Sequence, residues 1–125
     1  MKNPVMHFEI LAKPGGKAAL QEFYRKTFDW EIQPAGPMEY GMLPAPEGGP
    51  GIGGAVDEAE HADDARVVVF IEVDDPQAYL DRALANGGTL VREVMVIPGM
   101  VTMAQFADPA GNQVGIIGAE VPPEA

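Results

Sequence analysis

The chain has 125 residues, no cysteine, and 8 Lys and Arg against 19 Asp and Glu, a formal charge of −11. This excludes a disulfide framework, a thiolate metal site and a cysteine nucleophile. The negative field repels nucleic acid and anionic membranes and favours cationic or neutral small molecules. No apolar run approaches membrane-spanning length, and the first residues lack the basic and apolar pattern of a secretory signal. The expectation is a cytoplasmic protein with a small-molecule ligand and with neither nucleic acid nor membrane as partner.

The first strand is expected over residues 5–11. Alternation places Met6, Phe8 and Ile10 on one face and His7, Glu9 and Leu11 on the other. Residues 13–16 (Lys-Pro-Gly-Gly) break it, and an amphipathic helix follows over 17–28. Its Leu20, Phe23, Tyr24 and Phe28 recur at helical spacing and are expected on the Met6, Phe8 and Ile10 face. Further strands are expected over 30–32, over 38–43 after a Pro-Ala-Gly-Pro break, and over the glycine-heavy 51–56. The Pro/Gly loop 44–50 between the last two is expected at the surface, as a gate to the site.

Residues 57–65 are polar and acidic and read as a linker, after which the pattern restarts. A buried-looking strand over 66–74 leads to a helix over 76–86. Asp74 or Asp75 caps that helix, Pro76 suits its first turn, and Gly87 and Gly88 end it. Strands over 89–97, 101–107 and 112–117 complete the chain, and the tail from residue 120 is expected to fray. Asp108, Pro109, Ala110 and Gly111 fit a type I turn whose Asp108 carboxylate caps turn amides. Turn chemistry alone accounts for those four residues.

Each half, about 5–56 and 66–117, therefore reads β-α-β-β-β. The fold class expected is α+β: two such modules in a single domain, helices on the convex faces and the concave faces meeting as a cup.

The chain resembles the vicinal oxygen chelate superfamily, which includes glyoxalase I, bleomycin-resistance proteins and extradiol dioxygenases. The resemblance is carried by His7-Phe8-Glu9-Ile10, by Phe23-Tyr24 and Phe28-Asp29-Trp30, and by Val73-Asp74-Asp75 before a helix closed by Gly87-Gly88. Phe106 with Asp108-Pro109-Ala110-Gly111-Asn112 completes it. These motifs are specific jointly for the fold and say little about the reaction. The subgroup it most resembles is the small glyoxalase-related proteins of bacteria, and the resemblance implies a homodimer.

Metal-dependent members place His or Glu ligands on the first and last strand of each half. Here His7 matches one position, whereas the others fall on Val68, on one of Gly53, Gly54 or Ala55, and on Gly115. One imidazole holds a divalent ion weakly, since catalytic sites use three protein ligands. No metal and no cofactor are expected. A reassembled set of His7, Glu9 and Glu72 is the conceivable exception, with Asp57 and His61 as the other plausible ligands.

By strand parity the cup-facing candidates are His7, Glu9, Phe70, Glu72, Met103, Gln105 and Gly115, with Trp30, Tyr40, Met42 and Met100 at the edges. Apolar walls, sulfur and a few oriented polar groups suit an aromatic or cationic small molecule. One reading is thus a metal-free binding protein akin to the bleomycin-resistance relatives. The alternative is an enzyme (lyase, isomerase or dioxygenase), metal-assisted or with His7 as general acid or base and Glu9 setting its tautomer. A structural or interaction module is the third reading. It leaves a buried polar strand face without a purpose.

Overall fold

The computed structural model describes residues 2–61 and 65–119. Residues 62–64 of the expected linker and the tail from residue 120 lie outside the described residues. The elements are β1 (Val5–Ala12), α1 (Lys17–Phe28), β2 (Gln33–Ala35), β3 (Tyr40–Leu43), β4 (Gly53–Glu58), β5 (Val67–Glu72), α2 (Pro76–Ala85), β6 (Thr89–Ile97), β7 (Val101–Ala107) and β8 (Gln113–Ala119). This is the expected α+β class with β-α-β-β-β written twice. No helix among the described residues is long and apolar enough to cross a membrane.

The chain divides into two compact units, His7–Val68 and Met1–Met6 with Val69–Ala125. In the first, the strands run in the order β2-β3-β4-β1. β1 and β4 are parallel, in the register His7 to Gly53, Glu9 to Ala55 and Leu11 to Asp57. β3 is antiparallel to β4 and pairs Met42 with Ala55. Ile32, Ala55 and Val56 are buried, and α1 is tied to β4 by a buried bond from Gln21 Nε2 to the Val56 carbonyl (2.8 Å). That reach requires Gly41 beneath it: a β-carbon there would collide with the Val56 oxygen and the Gln21 amide.

The expected strand over 30–32 is a correction. These residues carry no strand, and β2 begins at Gln33. Asp29 takes a left-handed conformation (φ +58°) that ends α1, and the Ile32 carbonyl is taken by Arg25 Nη2 (2.8 Å) instead of by a neighbouring strand. Pro34, expected in a break, lies in β2, an edge strand where a missing N–H is tolerated. The aromatic side of α1 also differs from expectation. Trp30 is interposed, stacked on Tyr24 (5.2 Å between ring centres) and tilted against Phe8 (6.0 Å), while Phe23 and Phe28 stay more than half exposed.

The expected linker starts too early. Asp57 and Glu58 belong to β4, continuing its ladder with Leu11 and Ala12. Glu58 accepts bonds from the amides of Gly15 and Lys17 (3.0 and 3.1 Å) and so satisfies donors at the start of α1. Residues 44–50 are exposed and have no regular structure.

In the second unit the order is β5-β8-β7-β6, with β5 parallel to β8 and the other pairs antiparallel. Helix α2 is capped by Asp75, which accepts from the Ala78 amide (3.1 Å), and Pro76 opens its first turn. Its Leu80 packs with Val73, Ala104 and Ile116, flanked by Ile71, Tyr79, Val94 and Phe106. The Asp108 turn is as expected. Asp108 Oδ1 accepts from the amides of Ala110 and Asn112 (both 2.9 Å), and Gly111 is left-handed at φ +96°.

Candidate functional site

The strand alternation of β1 sets His7 and Glu9 on one face, two residues apart. Their parallel partners on β4 are Gly53 and Ala55, both small; Ala55 is buried, and the backbone of Leu43, Pro44 and Ala45 lies close over Gly53. Ala55 in turn pairs with Met42, so Met42 and Tyr40 on β3 share that face. The register of three strands thus brings Tyr40 to His7 and Glu9, residues more than thirty positions away in sequence.

The Tyr40 hydroxyl donates to Glu9 Oε2 at 2.7 Å. His7 Nε2 lies 2.9 Å from the same hydroxyl oxygen. A phenol has one proton, and Glu9 takes it, so the second bond requires His7 Nε2 to be the donor. This selects the Nε2–H tautomer of His7. The two rings are also stacked, at 6.2 Å and 21°.

Burial lowers the pKa of His7 from its ordinary value. It raises that of Tyr40 above the usual phenol range, an effect reinforced by the charge and hydrogen bond of Glu9 and by the charge of Asp57. At neutral pH the arrangement is a neutral imidazole and a phenol that keeps its proton. Such a chain can orient a polar group of a ligand, and it can pass a proton between His7 and Glu9 through Tyr40.

The other expected site residues are each placed within their own unit. Trp30 sits against Phe8, Tyr24 and Phe28. Phe70, Glu72, Met103, Gln105 and Gly115 belong to the second unit and lie together on its sheet, by parity and register, on the face opposite α2. Phe70 and Gln105 there are buried. Met100 is an exposed residue of the turn between β6 and β7. Lys17, Gly41 and Asp57, which surround Tyr40, were not among the expected site residues. The sequence marks Asp57 as a metal-ligand candidate alone, and its bond to the Gly41 amide beside Tyr40 depends on the β3–β4 pairing, which no local pattern announces.

A family model described as a glyoxalase-like domain matches residues 11–117. The chain belongs to the glyoxalase-like domain family. It is thereby a member of the glyoxalase/bleomycin-resistance/dioxygenase, or vicinal oxygen chelate, superfamily. Its fold is similar to that of a Vibrio splendidus 12B01 protein described as a member of that superfamily, with 18% identity, a TM-score of 0.60, and 94% of this chain and 98% of that one covered. A structure from Legionella pneumophila described as an NAD-dependent benzaldehyde dehydrogenase is similar at 12% identity and TM-score 0.62, covering 91% and 98%. An uncharacterised Methanosarcina mazei protein is similar at 13% identity and TM-score 0.50, covering 98% of each chain. At these identities the structures show the fold alone. No curated protein sequence matches.

At the positions where the resemblance places metal ligands, this glyoxalase-like chain supplies one donor side chain, His7. Of the expected ligand positions, Val68 and Ala55 are buried and apolar, and Gly53, Gly54 and Gly115 have no side chain. Nε2 of His7 is engaged by Tyr40. Asp57 Oδ1 is held by the Glu58 amide (2.7 Å) and Lys17 Nζ (3.4 Å), and its Oδ2 by the Gly41 amide (3.0 Å). Among the described residues no group of three or more His, Asp or Glu side chains that could hold a metal ion is found.

Proposed function

We propose that this glyoxalase-like protein binds a small, mainly apolar molecule, aromatic or cationic, without a metal, and that it holds the ligand's polar group at His7. The observation that carries this reading is the bonded series Glu9–Tyr40–His7, which fixes one imidazole tautomer in a half-buried setting. Glu9 and Tyr40 orient, and His7 meets the ligand. Met42 supplies adaptable apolar contact on the same face. The net charge of −11 favours a cationic partner. The homodimer implied by the resemblance belongs to the same proposal, and sedimentation measures it.

The test begins with a thermal-shift screen of divalent metals against aromatic and cationic organic molecules. The organic hit is then titrated against wild type, His7→Ala, Glu9→Gln and the double variant. Loss of a hydrogen-bonding partner should weaken binding by roughly tenfold to a hundredfold, about 1–3 kcal/mol, with strong non-additivity between the two sites. Wild-type affinity in all three folded variants overturns the reading. One tightly held metal per chain, lost in His7→Ala, overturns its metal-free part.

The same series favours a second reading, an acid–base enzyme of the superfamily in which His7 exchanges a proton with substrate and Tyr40 links it to Glu9. Turnover of the bound molecule by wild type and its loss in Tyr40→Phe would decide for it.

A further inference from the structure

Tyr40 follows a turn closed by a bond from the Glu39 amide to the Gly36 carbonyl (3.1 Å), and Glu39 itself is left-handed at φ +53°. A non-glycine residue keeps that conformation only where its surroundings impose it. Here the constraint is visible. Lys17 Nζ donates to the Glu39 carbonyl at 2.7 Å, so the peptide entering Tyr40 is held from α1. On the other side of Tyr40, the Gly41 amide donates to Asp57 Oδ2 at 3.0 Å, so the peptide leaving Tyr40 is held from β4. Lys17 and Asp57 are themselves an ion pair at 3.4 Å, and both side chains are largely shielded, at 26% and 13% exposure.

We propose that the Lys17–Asp57 pair is a clamp that positions Tyr40: it grips the backbone on both sides of the tyrosine and so sets the hydroxyl where it bonds His7 and Glu9 together. Neither residue touches the ligand; both act through Tyr40. The inference rests on the reading of His7, Tyr40 and Glu9 as the site, and it adds the device that assembles the site. The start of α1 and the end of β4 then become determinants of binding. Shielding from water strengthens the pair, whereas an exposed ion pair would hold little.

The test is made on ligand-free protein by nitrogen NMR of the His7 imidazole, assigned with His7→Gln, in wild type, Lys17→Met, Lys17→Arg and Asp57→Asn. Circular dichroism checks the fold. Wild type is expected to show the Nε2–H tautomer. In Lys17→Met and Asp57→Asn the Tyr40 hydroxyl is released, and the two ring nitrogens move toward averaged, mixed-tautomer shifts. Lys17→Arg restores the wild-type pattern. A role in stability alone would lower the melting temperature and leave these shifts unmoved. Folded Lys17→Met and Asp57→Asn with the wild-type pattern overturn the clamp, and so does a Lys17→Met protein that fails to fold. Ligand affinity of His7→Ala is read separately. A shifted tautomer in the clamp variants with unchanged affinity in His7→Ala upholds the clamp and removes the binding role alone.

Discussion

The ring of Phe70 occupies the space that a β-carbon on Gly115 would need; the two are direct partners across the parallel β5–β8 ladder. Phe70 is 3% exposed, so its ring has little room to yield. Gly115→Ala should therefore cost about 1–3 kcal/mol by overpacking, measured by urea unfolding. Gly115→Ala combined with Phe70→Leu should recover part of the loss. Gly115→Glu, which would place a carboxylate where metal-dependent relatives carry one, should displace Phe70 and lose stability without gaining zinc or nickel affinity by calorimetry.

His7 makes folding sensitive to mild acid. Its pKa is lowered in the folded state by burial, so the unfolded chain binds the proton more readily. Stability from this group is complete above the ordinary histidine value near 6.5 and is lost as pH falls below it toward the folded value. Unfolding free energies between about pH 5 and 7.5 should decline toward acid in wild type. In His7→Gln that slope should be markedly shallower.

Tyr40 has the opposite dependence. Burial and the Glu9 carboxylate raise its pKa, so folded protein resists its ionisation. Its stabilising share is complete below the ordinary value of 10.0 and falls away as pH rises past it. Absorbance near 295 nm, which reports phenolate, should show one tyrosine ionising only with unfolding, and Tyr40→Phe should remove that step. At neutral pH the same variant should lose about 1–3 kcal/mol, because two half-buried polar groups lose their shared partner.

Asp108 should govern part of the acid limb. The Asn112 side chain and amide hold its carboxyl below the ordinary 3.8, with help from the amides of Ala110 and Gly111. The contribution is present above that ordinary value and disappears as pH falls through the folded one. Asp108→Ala should flatten the stability curve at low pH and speed amide exchange in the turn between β7 and β8.

The features legible in the sequence are those in which one segment decides its own structure. Strand alternation put His7 and Glu9 on one face, the Asp75-Pro76 pair marked the start of α2, and Asp108 to Asn112 marked the last hairpin. The failures depend on distant partners. Trp30 reads as a strand residue until Tyr24 and Phe8 are beside it, and the acidic run reads as a linker until Asp57 and Glu58 meet Gly41 and the start of α1. Tyr40 was expected near a ligand, but the register that joins it to His7 and Glu9 exists only after three strands have paired.

The second unit also contains the first six residues of the chain. The Pro4 carbonyl accepts from the Glu72 amide at 2.8 Å, and Asn3 Nδ2 donates to the Tyr79 hydroxyl across 76 positions. These residues precede the whole first unit along the chain, and their partners follow it. Closing so long a loop precedes any reward from the contacts it permits, which delays this step relative to the local hairpins. The segment around Asn3 and Pro4 is therefore a late-docking piece, and substitutions in it would act on the maturation of the second unit rather than of the first, which it adjoins in sequence.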